Sequence, residues 1–341
     1  MAVPLFRPTV KRRDMGSVLS CIVSDKLGPG EISRELVSRA VHLLGQSGGV
    51  SLPNTYLALA VALRALGLSS GDGVVLPALA PSLWLRVVQE LGLVARVADV
   101  DPQSGLIDVV EAARLTQDGA KAILVPHTLG MPVDLQALRG LGVPILEDIS
   151  QGLGGKMGDQ MTGAGGDLCL LSLEPECIVT CGGGALVLAK GRQMAAALRR
   201  VTESSPLYSQ LADMNAALGI SQFAALDSFI AVRREVATAY AQSLLKSRHK
   251  GLAQTAEAEV VLSSFPVLLN DGMKEVRQYA LKRNVETAPA FADTVASLEG
   301  TDAAHCVNAR SLLLRCLLFP LYPTLGKRDV ETTCKVLATL P

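Results

Sequence analysis

An α/β protein with a large, mostly parallel mixed sheet flanked by helices, plus a small C-terminal α+β domain, is the fold class that three observations predict. Short β-branched runs alternate with helix-period segments from Leu59 to about residue 200, the pattern of a parallel sheet covered on both faces. A proline-free stretch with one glycine, Ala212 to Leu245, is long enough to join two domains. Beyond about Glu257 the rhythm changes to a few short strands and helices. A length of 341 residues accommodates two domains, placed at 1–245 and 246–341.

In chain order, the strands are predicted at Val74–Leu79, Val94–Val100, Ala122–His127, Pro144–Ile149, Cys169–Leu173 and Ala185–Ala189. Helical stretches Leu83–Leu91, Val109–Leu115 and Leu135–Leu141 lie between them, with breakers Gly71-Asp72-Gly73, Asp101-Pro102 and Gly142 at the joints. The uncharged run Leu43 to Leu63 is interrupted by Gln46-Ser47-Gly48-Gly49 and Pro53-Asn54, so it reads as a loop feeding a buried helix. The C-terminal part reads as a strand (Val260–Leu269), a helix (Gly272–Arg283), a strand (Val285–Ala288), a helix (Ala309–Leu314), a turn at Phe319-Pro320-Leu321-Tyr322-Pro323, and a final helix.

Composition narrows the function. With 49% hydrophobic and 19% charged residues the chain has enough apolar surface to fold, and no window approaches eighteen consecutive apolar residues. Thirty-two basic and 32 acidic residues cancel, which removes the footprint expected of a partner for nucleic acid or an anionic membrane. Aromatic residues make up only 4%. The seven cysteines (21, 169, 177, 181, 306, 316 and 334) are odd in number and mostly sit in apolar sequence, and Met1 to Arg13 is basic and proline-containing, unlike a secretory leader. A reducing cytoplasmic location is expected, and no cysteine or histidine cluster has metal-ligand spacing.

Several segments carry a resemblance. They are Ala62-Leu63-Arg64-Ala65-Leu66-Gly67-Leu68 with Gly71-Asp72 and Val75-Leu76-Pro77; Asp99-Val100-Asp101-Pro102; Pro126-His127-Thr128-Leu129-Gly130-Met131-Pro132-Val133-Asp134; Pro144-Ile145-Leu146-Glu147-Asp148-Ile149-Ser150-Gln151-Gly152; Asp213-Met214-Asn215-Ala216-Ala217-Leu218-Gly219; and Leu318-Phe319-Pro320-Leu321-Tyr322-Pro323. In this order, starting from Pro4-Leu5-Phe6-Arg7-Pro8, the chain resembles the DegT family of sugar-nucleotide aminotransferases, pyridoxal-phosphate (PLP) enzymes of the aspartate-aminotransferase fold type. The resemblance implies cofactor-binding roles. Asp148 falls at the pyridine-nitrogen partner, Gln151 at the position near the phenolic oxygen, and Ser172 at a phosphate donor. His127 lies in a loop that approaches the substrate in the family, and Arg7 and Lys26 lie where the family contacts substrate or partner.

Other family positions have changed. Aligned on Leu171-Ser172-Leu173 and Gly182-Gly183-Gly184 without a gap, the Schiff-base lysine position holds Cys177, and a thiol forms no aldimine. The Ser-Gly-Thr phosphate turn reads Asn54-Thr55-Tyr56, where Thr55 can still donate and Tyr56 adds bulk. The stacking ring is replaced by Pro81, with the chain's single tryptophan, Trp84, three residues on. The family's Asn-Tyr-Arg arm reads Tyr208-Ser209-Gln210, which removes an arginine fork.

Three functions accommodate these changes. The first is a non-catalytic paralogue that keeps the fold, supports an active paralogue partner, or senses a sugar nucleotide or cofactor. The second is an enzyme of altered, dehydratase-like chemistry holding PLP or pyridoxamine phosphate (PMP) non-covalently. The third is an ordinary PLP aminotransferase, which needs a different register around Cys177. The coupled losses favour the first, with PLP or PMP bound non-covalently or not at all. The resemblance also implies a homodimer.

Overall fold

The computed structural model describes residues 2–25, 27–204 and 210–341. Its elements run α1 (Arg12–Val23), α2 (Glu31–Leu43), β1 (Gly48–Leu52), α3 (Thr55–Ala65), β2 (Gly73–Pro77), α4 (Ser82–Glu90), β3 (Val94–Ala98), α5 (Val109–Gln117), β4 (Ala120–Pro126), α6 (Leu135–Arg139), β5 (Ile145–Asp148), β6 (Lys156–Met157), β7 (Gln160–Met161), β8 (Leu168–Ser172) and β9 (Ala185–Ala189). They continue α7 (Arg192–Glu203), α8 (Asp213–Phe223), α9 (Leu226–Leu244), β10 (Ala258–Glu259), β11 (Phe265–Leu268), α10 (Met273–Lys282), β12 (Ala288–Pro289), α11 (Val307–Arg315), β13 (Cys316–Phe319) and α12 (Lys327–Ala338).

Seven strands form the main sheet in the order β1-β9-β8-β5-β4-β2-β3. All neighbours from β8 to β3 pair in parallel, and β9 runs antiparallel to both β1 and β8. The six predicted strands are all present within a few residues, because strands buried on both faces are near-continuous apolar runs. Strand β8 shows how the two faces are served: Leu168 and Leu170 enter one core with α3 and α4, while Cys169 and Leu171 enter a second core with α2 and α8.

Three expectations need correction. The segment read as a loop before the buried helix contains β1, an edge strand hidden from pattern reading by Gly48-Gly49. The glycine there is required, since a Cβ on Gly49 would lie 2.9 Å from the Val187 carbonyl on β9. The connecting stretch Ala212 to Leu245 is two helices, α8 and α9, bent by 58°. Tertiary contacts set that bend. Ser221 and Gln222 at the end of α8 donate to the Asp14 carboxylate, at 2.5 Å and 2.8 Å, while Arg233 on α9 donates to the carbonyls of Leu262, Ser263 and Leu321. Of the predicted strand Val260–Leu269 only Phe265–Leu268 is strand, β11, and the short β10, paired with β6, precedes the predicted range. Strand β11 pairs with β13, which the sequence reading left as the approach to a turn.

The small sheet β11-β13-β12 packs beside α9, where Tyr240 meets Phe265 edge to face, and the C-terminal part is fastened to the large sheet at several points, one of them at the end of β3. The Asp99 carboxylate, just past β3, accepts from the Asn308 and Ala309 amides at 3.0 and 2.9 Å and so caps α11. Among the described residues, no single helix is long and apolar enough to cross a membrane.

Candidate active site

The carboxyl ends of β5 and β8 meet the N-terminus of α3 at a cavity of about 580 Å³, the usual ligand position in a parallel sheet. Asp148, Ser150, Gln151, Ser172 and Cys177 reach it from the strand ends. Thr55 and Tyr56 come from α3, and Pro289 to Thr294 close it from the C-terminal part. The closing loop is fastened by its backbone: Val295 and Ala296 donate to the carbonyls of Ala80 and Ala78, and Ser82 donates to Asp293 through both its amide and its hydroxyl. Trp84 and Phe291, both nearly fully buried, supply aromatic wall near the position where Pro81 has replaced the expected ring.

Asp148 ends β5 at 7% exposure, and its Oδ1 accepts from the Ser150 amide at 2.8 Å and from the Ser150 hydroxyl. Burial pushes its carboxyl above the ordinary range, with the two Ser150 bonds opposing. Gln151 is held by its side-chain oxygen, which accepts from the Leu129 amide at 2.7 Å. Leu129 can present that amide because it sits at φ 56°, in the left-handed region.

The phosphate end differs from what the aligned donors imply. Asn54 caps α3 by accepting from the Leu57 amide at 2.9 Å, and the Thr55 hydroxyl donates to the Ser172 hydroxyl at 2.8 Å. The Tyr56 hydroxyl is turned away to Glu90. The Glu174 carboxylate, which the sequence reading did not assign to this end of the site, lines the cavity there and is influenced by the Thr55 backbone N–H.

Cys177 occupies the expected position on the cavity wall, in a turn where its amide donates to the Glu174 carbonyl at 3.1 Å. Burial pushes its thiol up to about 12, with the charges of Asp148 and Glu174 adding to the rise and the Ser172 hydroxyl opposing it. Glu174 is itself raised, first by burial and then by Glu176, with the Thr55 amide opposing.

His127 lines the cavity, but both its ring nitrogens are engaged: Nε2 faces Glu147 Oε1 at 2.8 Å, and Nδ1 accepts from the Val133 amide at 2.9 Å. Arg7 is exposed, lies outside the cavity lining and faces Tyr322 electrostatically. Lys26 and Tyr208 fall outside the described residues.

Residues 8–338 match the DegT/DnrJ/EryC1/StrS aminotransferase family. This chain belongs to that family. Among solved structures, a protein assigned as a sugar aminotransferase from Streptococcus pneumoniae, in its PLP form, is 18% identical with a TM-score of 0.92, over 99% of this chain and 98% of that one. DesV from S. venezuelae, in complex with a ketimine intermediate, is 22% identical with a TM-score of 0.89, over 96% of this chain and 93% of that one. The E. coli GDP-4-keto-6-deoxy-D-mannose-3-dehydratase with bound hydrated PLP is 19% identical with a TM-score of 0.88, over 99% and 100%. At these identities the likeness is one of fold.

The cofactor of those structures fits this DegT-family cavity at one end only. Asp148 and Gln151 suit a protonated pyridine ring and its phenolic oxygen. Among the described residues lining the cavity there is no lysine to bind an aldehyde and no arginine to face a phosphate, and the carboxylate of Glu174 stands on the wall beside Thr55. The residues present do not fit a covalently held, phosphorylated cofactor.

Proposed function

We propose that this DegT-family protein has lost transamination and serves as a ligand-binding, non-catalytic member of sugar-nucleotide metabolism, holding any pyridoxal-type ligand without a covalent bond. The observation that supports this reading is that Cys177, aligned in sequence with the family's lysine, lines the cavity, and no lysine does so among the described residues. A thiol held at about 12 supplies neither an imine nor a base near neutral pH, which also counts against a dehydratase-like reaction using Cys177 as proton acceptor. What this chain's residues can do is bind and orient: Asp148 presents a carboxylate, Gln151 an amide, and Trp84 and Phe291 an apolar wall.

The test is an absorbance spectrum of the purified protein with PLP, before and after borohydride, followed by peptide mapping. No stoichiometric pyridoxyl-lysine is expected. A single lysine trapped in full yield would overturn the reading.

A further inference from the structure

The cavity carries three carboxylates, Asp148, Glu174 and Asp293, and no lysine or arginine among its described lining residues. Asp148 is more than nine-tenths buried, and its second oxygen, Oδ2, has no hydrogen-bond partner among the described residues. An uncompensated carboxylate of this kind in a poorly solvated space favours a cation beside it.

At the other end, the N-terminus of α3 would attract an anionic group through its free amides and helix dipole. The chain supplies that anion itself. Glu174 shares the cavity wall with Thr55 at the start of α3, and its Oε2 lies against the glycine run, 3.7 Å from where a Cβ on Gly183 would stand; the Thr55 amide favours its ionised form. Pro175 follows directly and restricts the backbone of Glu174 to extended conformations, so the side chain is directed before it meets the helix. The two hydroxyls that a phosphate would use are bonded to each other, Thr55 to Ser172.

We propose that Glu174 stands where a ligand phosphate would stand, and that the cavity accepts a phosphate-free ligand bearing a protonated amine on a flat, apolar body. The amine offsets Asp148, the flat body meets Trp84 and Phe291, and a phosphate has to displace Glu174 and approach a second negative charge. This rests on the reading that ligands are held here without a covalent bond.

Trp84 makes the test direct, because it is the chain's single tryptophan and it lines the cavity. Quenching of its fluorescence is titrated with pyridoxamine and with pyridoxamine 5′-phosphate, amines that form no imine with surface lysines. The native protein is expected to bind pyridoxamine more tightly than its phosphate. In Glu174→Gln the preference shifts toward the phosphate by about tenfold or more, the scale of one charge-assisted contact. Glu174→Ala, checked for an unchanged melting temperature, repeats the shift. Native binding that favours the phosphate, a ratio unmoved in both variants, or no quenching by either probe in any of the proteins overturns the proposal. A borohydride-trapped PLP adduct, by contrast, overturns the non-covalent reading and leaves the Glu174 ratio to be judged by itself.

Discussion

His127 Nε2 lies 2.8 Å from Glu147 Oε1 with both side chains buried, at the edge of the cavity that His127 lines. The Val133 amide points at Nδ1, so that nitrogen has to offer a lone pair and the ring proton sits on Nε2, donated to Glu147. Glu147 then collects three further donors, the amides of Gly163 at 2.6 Å, Gly165 at 2.9 Å and Gly166 at 2.7 Å. One carboxylate thereby ties the loop after β4, which carries His127, Thr128 and Leu129 to the cavity, to the loop before β8.

That arrangement makes Glu147→Gln destabilising by about 3 kcal/mol, because an amide nitrogen replaces an acceptor facing backbone N–H groups in a buried site. Burial would raise the Glu147 carboxyl, yet the His127 bond and charge and the glycine amides outweigh it and hold it below the ordinary value. The sign follows: the native contribution is fully present above about pH 4.5 and is lost as pH falls through the lower folded value. Urea titrations of both proteins are expected to show a gap that is widest at neutral pH and narrows in acid. A gap that stays constant into acid would show that the ionised carboxylate is not the source.

Cys177 is expected to be unreactive at pH 8. With its thiol at about 12, only about one molecule in ten thousand carries a thiolate, against roughly a quarter for a free cysteine. Iodoacetamide labelling read by peptide mass spectrometry is expected to run at least about a hundredfold slower at this residue than at free cysteine, and to reach the free rate in denaturant. Labelling of the folded protein at the free rate would restore Cys177 as a candidate acid–base group.

Asp99 holds the C-terminal part against the large sheet through the two amides that start α11. Asp99→Ala leaves those N–H groups without the carboxylate and is expected to cost about 2 kcal/mol in urea titrations. Hydrogen exchange is expected to rise first at Asn308 and Ala309. Since α11 packs against the segment after Phe291 that closes the cavity, Trp84 emission is expected to shift red as well. An unchanged spectrum with intact stability would sever this link between the cap and the cavity.

The large sheet was legible in the chain because parallel strands buried on both faces have to be continuous apolar runs, as Ile123–Val125 and Leu168–Leu171 are. Asp148, Ser172 and Cys177 were legible for a related reason: they sit at or just beyond the ends of such strands, where register along the sequence fixes position in space. The edge strand β1 and the break between α8 and α9 were not, because Gly48-Gly49 is required by a neighbouring backbone and the bend is set by Asp14 and by carbonyls around Leu262 and Leu321.

By itself, then, the sequence determined the sheet and the family, both of which follow from local pattern and register, and it aligned Cys177 with the family's lysine position. Only the tertiary structure decided what surrounds that position. Glu174 shares the cavity wall with Thr55, His127 is turned to Glu147, and Phe291 and Asp293 arrive from the far end of the chain. Contacts between segments so distant in sequence arise from packing, and no local periodicity encodes which side chain meets which amide.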